Sequence, residues 1–446
     1  MIMKTQPKIE VGIVACEELQ FVLAGPFEYN NTPFYGGEFN ATVKNNQIVI
    51  KNKLGSEKKA GSMHISPVGS NSFFELKSVT IGVNFHWEQQ ENQRFRGILK
   101  LVPDGGKVRA INLIDLEEYL KSVISSEMSE TGSLNLLKAH AVISRSWLLA
   151  QIEKPKLLRA NDDIYHNSSE TEEEIIRWYD RKDHHNFDVC ADDHCQRYHG
   201  ITKMQTGKAI QAVEETFGEV LMFGEKICDA RYSKCCGGVT ENFENVWSPV
   251  QHEYLSKVVD SKEIHSNFNM DLKDEANAEN WIRNSPTAFC NTAGKNILEV
   301  LSGFDRATTD FFRWKIEYSQ SEIAELLKTR SGIDFGEIIS LKPVERGTSG
   351  RIIKLKIIGT KQTLVAGKEL EIRKWLSKSH LYSSAFVVDC LEIENGIPQK
   401  FVLTGAGWGH GVGLCQIGAA VMGEEGYSYS EILSHYFKGA ELKKYY

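Results

Sequence analysis

Three kinds of side chain in this 446-residue sequence are placed where they could do chemistry: an acid, a thiol–imidazole cluster and glycine-rich loops with aromatic faces. Glu127 stands in ISSEMSE, where a helical pattern runs into a loop. A carboxyl in such a place can face a cleft, and partial burial would raise its proton affinity toward acid catalysis. Glutamates are as a rule surface residues, so the neighbours carry the argument. Lys138 and Arg145 fall two turns apart on one face of the next helical pattern, where they could bind acidic or polar groups of a substrate beside Glu127. The bland alternative is a solvated basic stripe.

The segment HHNFDVCADDHCQRYHG packs two thiols and several imidazoles into one polar loop. Cys190, His194 and Cys195, with His184 or His185, would complete a tetrahedral sulfur and nitrogen set suited to zinc. The spacing is not that of a zinc finger, and a redox pair is the rival reading. In ARYSKCCGGVTENFENVW, Gly237 and Gly238 allow close backbone approach or positive φ next to Tyr232, Ser233, Thr240 and Glu241. Such a loop could line a sugar site with hydroxyls and an aromatic face, or it could be a tight turn between strands. The run from Gly405 to Gly413 sets five glycines at alternate positions around Trp408 and His410. It contains neither GK[ST] nor a strand-GxGxxG-helix context, which excludes a phosphate loop and a dinucleotide site. Glycine at this density marks backbone pressed against a ligand or another segment, with Trp408 offered as a sugar-stacking face. A nucleophilic pair of His410 and Cys415 is a weak reading, because they stand five positions apart along a loop.

Positioning these groups requires an α+β fold. Up to about residue 108, short apolar runs alternate with turn-rich stretches such as NNTPFYGGEFN and PDGGK, which predicts a β-rich N-terminal region. From Asp115 the period changes to that of a helix, with Leu116, Tyr119, Leu120, Val123 and Ile124 on one face behind an Asp115–Glu118 capping box. A second helix follows Ser133, so the two form a hairpin carrying Glu127, packed on mixed or antiparallel sheet. Residues 160–200 read as one long polar excursion around a local site. Strands are expected around 219–232, at 312–318 and at 351–358, with a helix at ELLKTR and a helical close after the last glycines. The expected divisions are 1–108, β-rich; 109–262, the catalytic core; 263–398, an inserted α+β lobe; and 399–446, the glycine-rich loop and C-terminal helix completing the core.

Composition narrows the class. The chain is 41% hydrophobic, enough for one large core or two moderate ones, and its formal charge of -7 with pI near 6.1 argues against a general nucleic-acid binder. No apolar stretch approaches the ~18 residues of a spanning helix, and no export signal is visible at the start. The nine cysteines are scattered, so most are expected to be reduced core thiols, the Cys/His loop excepted.

Taken together, LEEYLKSVISSEM, LLKAHAVISRSW, DVCADDHCQRYHG, YSKCCGGVTENFENVW, SGRIIKLKIIG and GAGWGHGVGLCQIGA resemble the sporulation stage II protein D (SpoIID/LytB) family in order and content, from about residue 95 onward. The resemblance implies a peptidoglycan lytic transglycosylase that cleaves the MurNAc–GlcNAc bond of peptide-stripped glycan to leave 1,6-anhydroMurNAc ends. The family's catalytic glutamate falls on Glu127, and its downstream lysine and arginine fall on Lys138 and Arg145. Substrate contacts are then expected from Tyr232, Ser233, Gly237, Gly238, Trp408, His410 and Gln416 as well. Zinc near the active site is implied at Cys190, His194 and Cys195, with His184 favoured over His185 because the corresponding histidine precedes the first cysteine by several residues. Four protein ligands make that zinc structural. Partners would be glycan strands and a cell-wall amidase, and the location the cell envelope. The rival classes are a non-catalytic glycan-binding enhancer of an amidase and a zinc hydrolase cutting stem peptides. One departure stands out: Cys235 and Cys236 occupy positions where many relatives carry small hydroxyl residues.

Overall fold

The computed structural model describes residues 5–82, 88–129, 131–158, 168–179, 184–192, 194–204, 207–263, 265–292 and 310–446. The described chain is mixed α+β, with a β-rich N-terminal region, several sheets and eight helices. It forms two compact units: Met1–Leu148 with Asp183–Val220 and Lys443–Tyr446, and Leu149–Lys182 with Leu221–Leu442.

Strands of the first unit follow the expected alternation. Phe73–Ile81 and Lys107–Asp115 bury alternate side chains, among them Phe74, Leu76, Val108 and Ala110. Asn45 and Asn46 both adopt positive φ (51° and 59°) between Gly37–Lys44 and Gln47–Asn52, and Gly105–Gly106 (57° and 83°) do the same before Lys107. Paired positive φ suits the right-handed twist of a two-residue hairpin. Two sheets result, of seven and six strands. In the larger, Lys8–Cys16 lies between Lys107–Asp115 and the short strand Val189–Cys190, with Val11 opposite Val189 and Gly12 opposite Cys190 in parallel. That pairing carries the Cys/His loop to the edge of the sheet.

The helix Leu116–Glu127 begins where the change of period predicts, but the capping box does not form. The Asp115 side chain makes no cap bond; it pairs instead with Lys8 on the neighbouring strand, 2.9 Å away. Leu116, Tyr119, Leu120, Val123 and Ile124 are all fully buried, so packing rather than capping anchors this helix. Leu134–Leu158 follows, its start held by Ser133, whose hydroxyl accepts from the Leu136 N–H at 3.2 Å.

The second unit has a five-stranded sheet in the order Ser168–Glu170, Glu174–Arg177, Thr363–Gly367, Ile352–Gly359, Ile338–Arg346. Residues 160–200 are therefore not one excursion: 168–177 add two strands here, whereas Val189–Cys190 joins the first unit's sheet. Backbone edges recruit these strands, a long-range pairing that local polarity hides. The helix Gln320–Ser331 has a complete Ser319/Glu322 capping box and a left-handed Gly332 at its end. Its Ile323 and Leu327 pack with Trp314, Leu355, Trp375 and Phe401 in one core. No helix among the described residues is long and apolar enough to cross a membrane.

Candidate acid site and metal centre

Glu127 is the last residue of Leu116–Glu127 and is 8% exposed. Its Oε1 accepts the backbone N–H of Arg197 at 3.0 Å. Arg197 lies two residues after Cys195, so the loop with the thiols and imidazoles is fastened to the carboxyl. Sequence reasoning missed this contact, because a main-chain donor leaves no residue-type signature. Neighbouring side chains brace the same stretch. Gln196 accepts from the Tyr119 hydroxyl at 3.1 Å and donates to the Ser144 carbonyl at 3.3 Å, and Tyr198 stacks on Tyr119 with ring centres 5.0 Å apart.

His184, Cys190, His194 and Cys195 each present one ligand atom, and all four atoms lie within 4.8 Å of one another. His184 Nε2 is 3.4 Å from Cys195 Sγ, and His194 Nδ1 lies 3.4 Å from Cys195 Sγ and 3.8 Å from Cys190 Sγ. Legs of ~2.3 Å to sulfur and ~2.0 Å to nitrogen around one tetrahedral ion put such atoms roughly 3.6 Å apart, so the set could hold a metal ion. His185 is exposed and stands outside it. The Cys195 thiol and the two imidazoles together hold the Cys190 thiol far below the usual thiol range, the state a metal ligand needs. The loop is pinned from below as well. Asp188 exchanges two hydrogen bonds with the Glu10 backbone (2.8 and 2.9 Å), and the Ala191 N–H donates to the Gly12 carbonyl at 3.0 Å.

Arg145 lies at the helix hairpin. It is fully buried, and its guanidinium grips both oxygens of Glu117 at 2.9 and 2.7 Å and donates to the Glu219 carbonyl at 2.9 Å. A guanidinium so engaged ties the two helices of the hairpin together. Glu117, 4% exposed, also accepts from the Gly218 N–H and the Tyr446 hydroxyl. The pairing spans helices in a way spacing alone does not foretell. Lys138 is ion-paired with Glu215.

In the second unit the two glycine-bearing constellations come together. Tyr232–Ser233 pairs in parallel with Leu414–Cys415, and Cys235 exchanges backbone bonds with Trp408 (3.0 and 2.8 Å). Gly237 and Gly238 have φ of 77° and 101°, as the turn reading allows. The glycine run is pressed against the protein's own chain: a Cβ on Gly413 (φ 74°) would stand 2.1 Å from the Arg231 carbonyl oxygen. Gly413→Ala is therefore expected to destabilise the fold by more than about 2 kcal/mol, since positive φ alone costs of order 1–3 kcal/mol; chemical denaturation measures it. One face of Trp408 is taken by Tyr382, stacked at 4.1 Å. His410 Nδ1 accepts from the Val412 N–H at 3.0 Å, and the ring stands edge-on to Trp247 at 4.9 Å. Desolvation, helped by nearby Arg231, holds His410 well below the usual histidine range. Gln416 is buried at the first turn of Gln416–Glu424. Ser233 is 6% exposed, and its hydroxyl has no hydrogen-bond partner among the described residues.

A cavity of about 640 Å³ on the N-terminal sheet, lined by Gln20, Asn40, Lys51 and neighbours, contains none of these groups. The chemistry-bearing residues, not concavity, mark the site.

Fold and site together define an α+β protein with a buried helix-end acid tied to a Cys/His loop fit for a metal. Comparison with known proteins finds that residues 104–223 match the model of the Stage II sporulation protein (SpoIID) family. Residues 241–413 match a Domain of unknown function (DUF8618). An uncharacterized protein of Brachyspira hyodysenteriae is 24% identical over 431 residues, 95% of this chain and 89% of that one. The Stage II sporulation protein D of Bacillus subtilis is 22% identical over 346 residues, 75% of this chain and 76% of that one. The Amidase enhancer of the same organism is 26% identical over 247 residues, 53% of this chain and 32% of that one.

Proposed function

We propose that this protein is a peptidoglycan lytic transglycosylase with Glu127 as its single acid and base. The observation that carries the reading is the buried Glu127 carboxyl, closing a helix inside the SpoIID-matching segment and oriented by the Arg197 N–H. In the forward half-reaction Glu127 gives its proton to the glycosidic oxygen as the muramyl C1–O bond breaks, freeing the N-acetylglucosamine hydroxyl. In the second half the carboxylate takes the proton of the muramyl primary hydroxyl, whose oxygen closes on C1. Glu127 ends protonated, as it began, and no water is consumed. The test is release of 1,6-anhydromuramyl ends from peptide-stripped glycan in ¹⁸O water, where incorporation of label would mark a hydrolase and refute the reading.

His184, Cys190, His194 and Cys195 would hold zinc, whose chemistry here is structural because four protein ligands close its coordination. Arg145 acts as a positioning residue for the helix hairpin, and Lys138 is retained as a substrate contact that exchanges Glu215 for the glycan. Tyr232, Ser233 and Trp408 are the sugar contacts of the second unit. Gly237, Gly238, His410 and Gln416 shape their surroundings. Cys190→Ser with Cys195→Ser is expected to lose one equivalent of zinc, to speed hydrogen exchange at the Arg197 amide and to lower kcat about ten- to a hundred-fold. Elemental analysis and exchange mass spectrometry check this; equal zinc in both chains would remove the site.

The Amidase enhancer relative favours a second reading, a cell-envelope protein that grips glycan and stimulates an amidase without cutting. Purified protein that binds stripped glycan, yields no anhydro ends and accelerates an added amidase would establish that alternative.

A further inference from the structure

We propose that the second unit contains a further metal site, wholly buried, in which Cys236, Cys290, Cys415 and Asp260 hold one zinc ion in a closed tetrahedron. Each residue offers one ligand atom, and the four atoms lie within 4.8 Å of one another. None is more than 2% exposed. Cys236 Sγ and Cys290 Sγ are 3.6 Å apart. That is far beyond the ~2.05 Å of a disulfide and close to the roughly 3.8 Å edge that two ~2.3 Å zinc–sulfur bonds subtend at a tetrahedral ion.

The surroundings favour ligands over packed thiols. Cys415 is the N-cap of Gln416–Glu424, and its sulfur accepts the N–H groups of Gly418 (3.4 Å) and Cys236 (3.2 Å), donors that favour a thiolate. Asp260 Oδ1 accepts the Tyr436 hydroxyl at 2.6 Å and Oδ2 the Cys290 N–H at 3.0 Å, which aims the carboxylate. The chain makes room for it: a Cβ on Gly418 would lie 2.6 Å from Asp260 Oδ1. A fully buried carboxylate among three thiols is costly unless a cation or a proton neutralises it. A zinc ion with three thiolates and one carboxylate carries a net charge of about minus two. Arg313, which donates to the carbonyls of Asn284, Gly237, Phe312 and Trp281 and acts electrostatically on Cys290 and Cys236, partly offsets it. Inert cysteine packing would not recruit the aspartate or these donors. Soft thiolates select zinc over hard cations, and four protein ligands make the ion structural. It clamps the segment after Tyr232–Ser233 to the start of Gln416–Glu424, next to the paired strands Tyr232–Ser233 and Leu414–Cys415.

The experiment uses the full chain with Cys190→Ser and Cys195→Ser, which empties the other cluster. Purified reduced and without added metal, it should retain about one zinc per chain by native mass spectrometry. X-ray absorption should show roughly three sulfur ligands near ~2.3 Å and one oxygen. Adding Asp260→Asn or Cys236→Ser should abolish that zinc. A folded, zinc-free single-site chain overturns the proposal, as does a mass deficit of two hydrogens reporting a disulfide or a nitrogen-rich metal shell. Should the variants fail to fold, the unsubstituted chain decides: about two zinc ions with a sulfur-rich average shell are expected, and one zinc with two sulfur neighbours, or none, refutes the site.

Discussion

Glu127→Gln is expected to lower anhydromuramyl release from peptide-stripped glycan by about 10²- to 10⁴-fold, the usual contribution of one positioned acid–base group. Glutamine keeps the size of the side chain and its Oε1 can still accept the Arg197 N–H, so the helix end and the Cys/His loop should stay in place. What disappears is a proton to give and a carboxylate to take one back. Glycan affinity and thermal stability should change little. This pattern, a fall in kcat with binding intact, separates a chemical role from a structural one. Wild-type release rates from the purified variant would overturn the assignment. In the enhancer reading there is no release to lose, and Glu127→Gln would leave stimulation of an amidase unchanged.

The second large effect concerns stability. Arg145→Ala removes one partner of a bidentate ion pair and leaves Glu117 buried without its cation. Breaking a buried pair in this way costs about 3–5 kcal/mol, which in a unit of this size lowers Tm by roughly 10 °C. Arg145→Lys should recover less than half of that loss, since an ammonium cannot match both carboxylate oxygens at once. Calorimetry combined with kinetics reads the cause. A positioning residue shows the loss of Tm first, with activity falling as the fold does. If Arg145→Ala melted like the wild type while KM rose sharply, the guanidinium would be a substrate contact after all. Lys138, partly buried and ion-paired with the more exposed Glu215, should cost about 1 kcal/mol when replaced by alanine.

Period and turn chemistry made the β-rich start and the helix ending at Glu127 legible, because alternation and 3.6-residue spacing are properties of neighbouring residues. The Cys/His cluster was legible for the same reason: its four members fall within one short segment, close enough for a loop to gather them. Spacing could not choose His184 over His185; the fold did, by turning one imidazole toward the thiols and the other to solvent. Asp115 shows the limit of local rules, since a cross-strand lysine outcompeted the expected cap.

What lay beyond the sequence is whatever depends on segments far apart in the chain. Arg145 and Lys138 look alike as a basic stripe, yet Arg145 is fully buried against Glu117 and Lys138 is only partly buried beside Glu215. Cys236, Asp260, Cys290 and Cys415 are spread over about two fifths of the chain and share no motif. Residue types and short spacings by themselves determined which side chains could ionise, coordinate or turn the backbone. Tertiary structure decided which of them meet and which are desolvated, because burial and long-range pairing set the cost of a charge and the partner that relieves it.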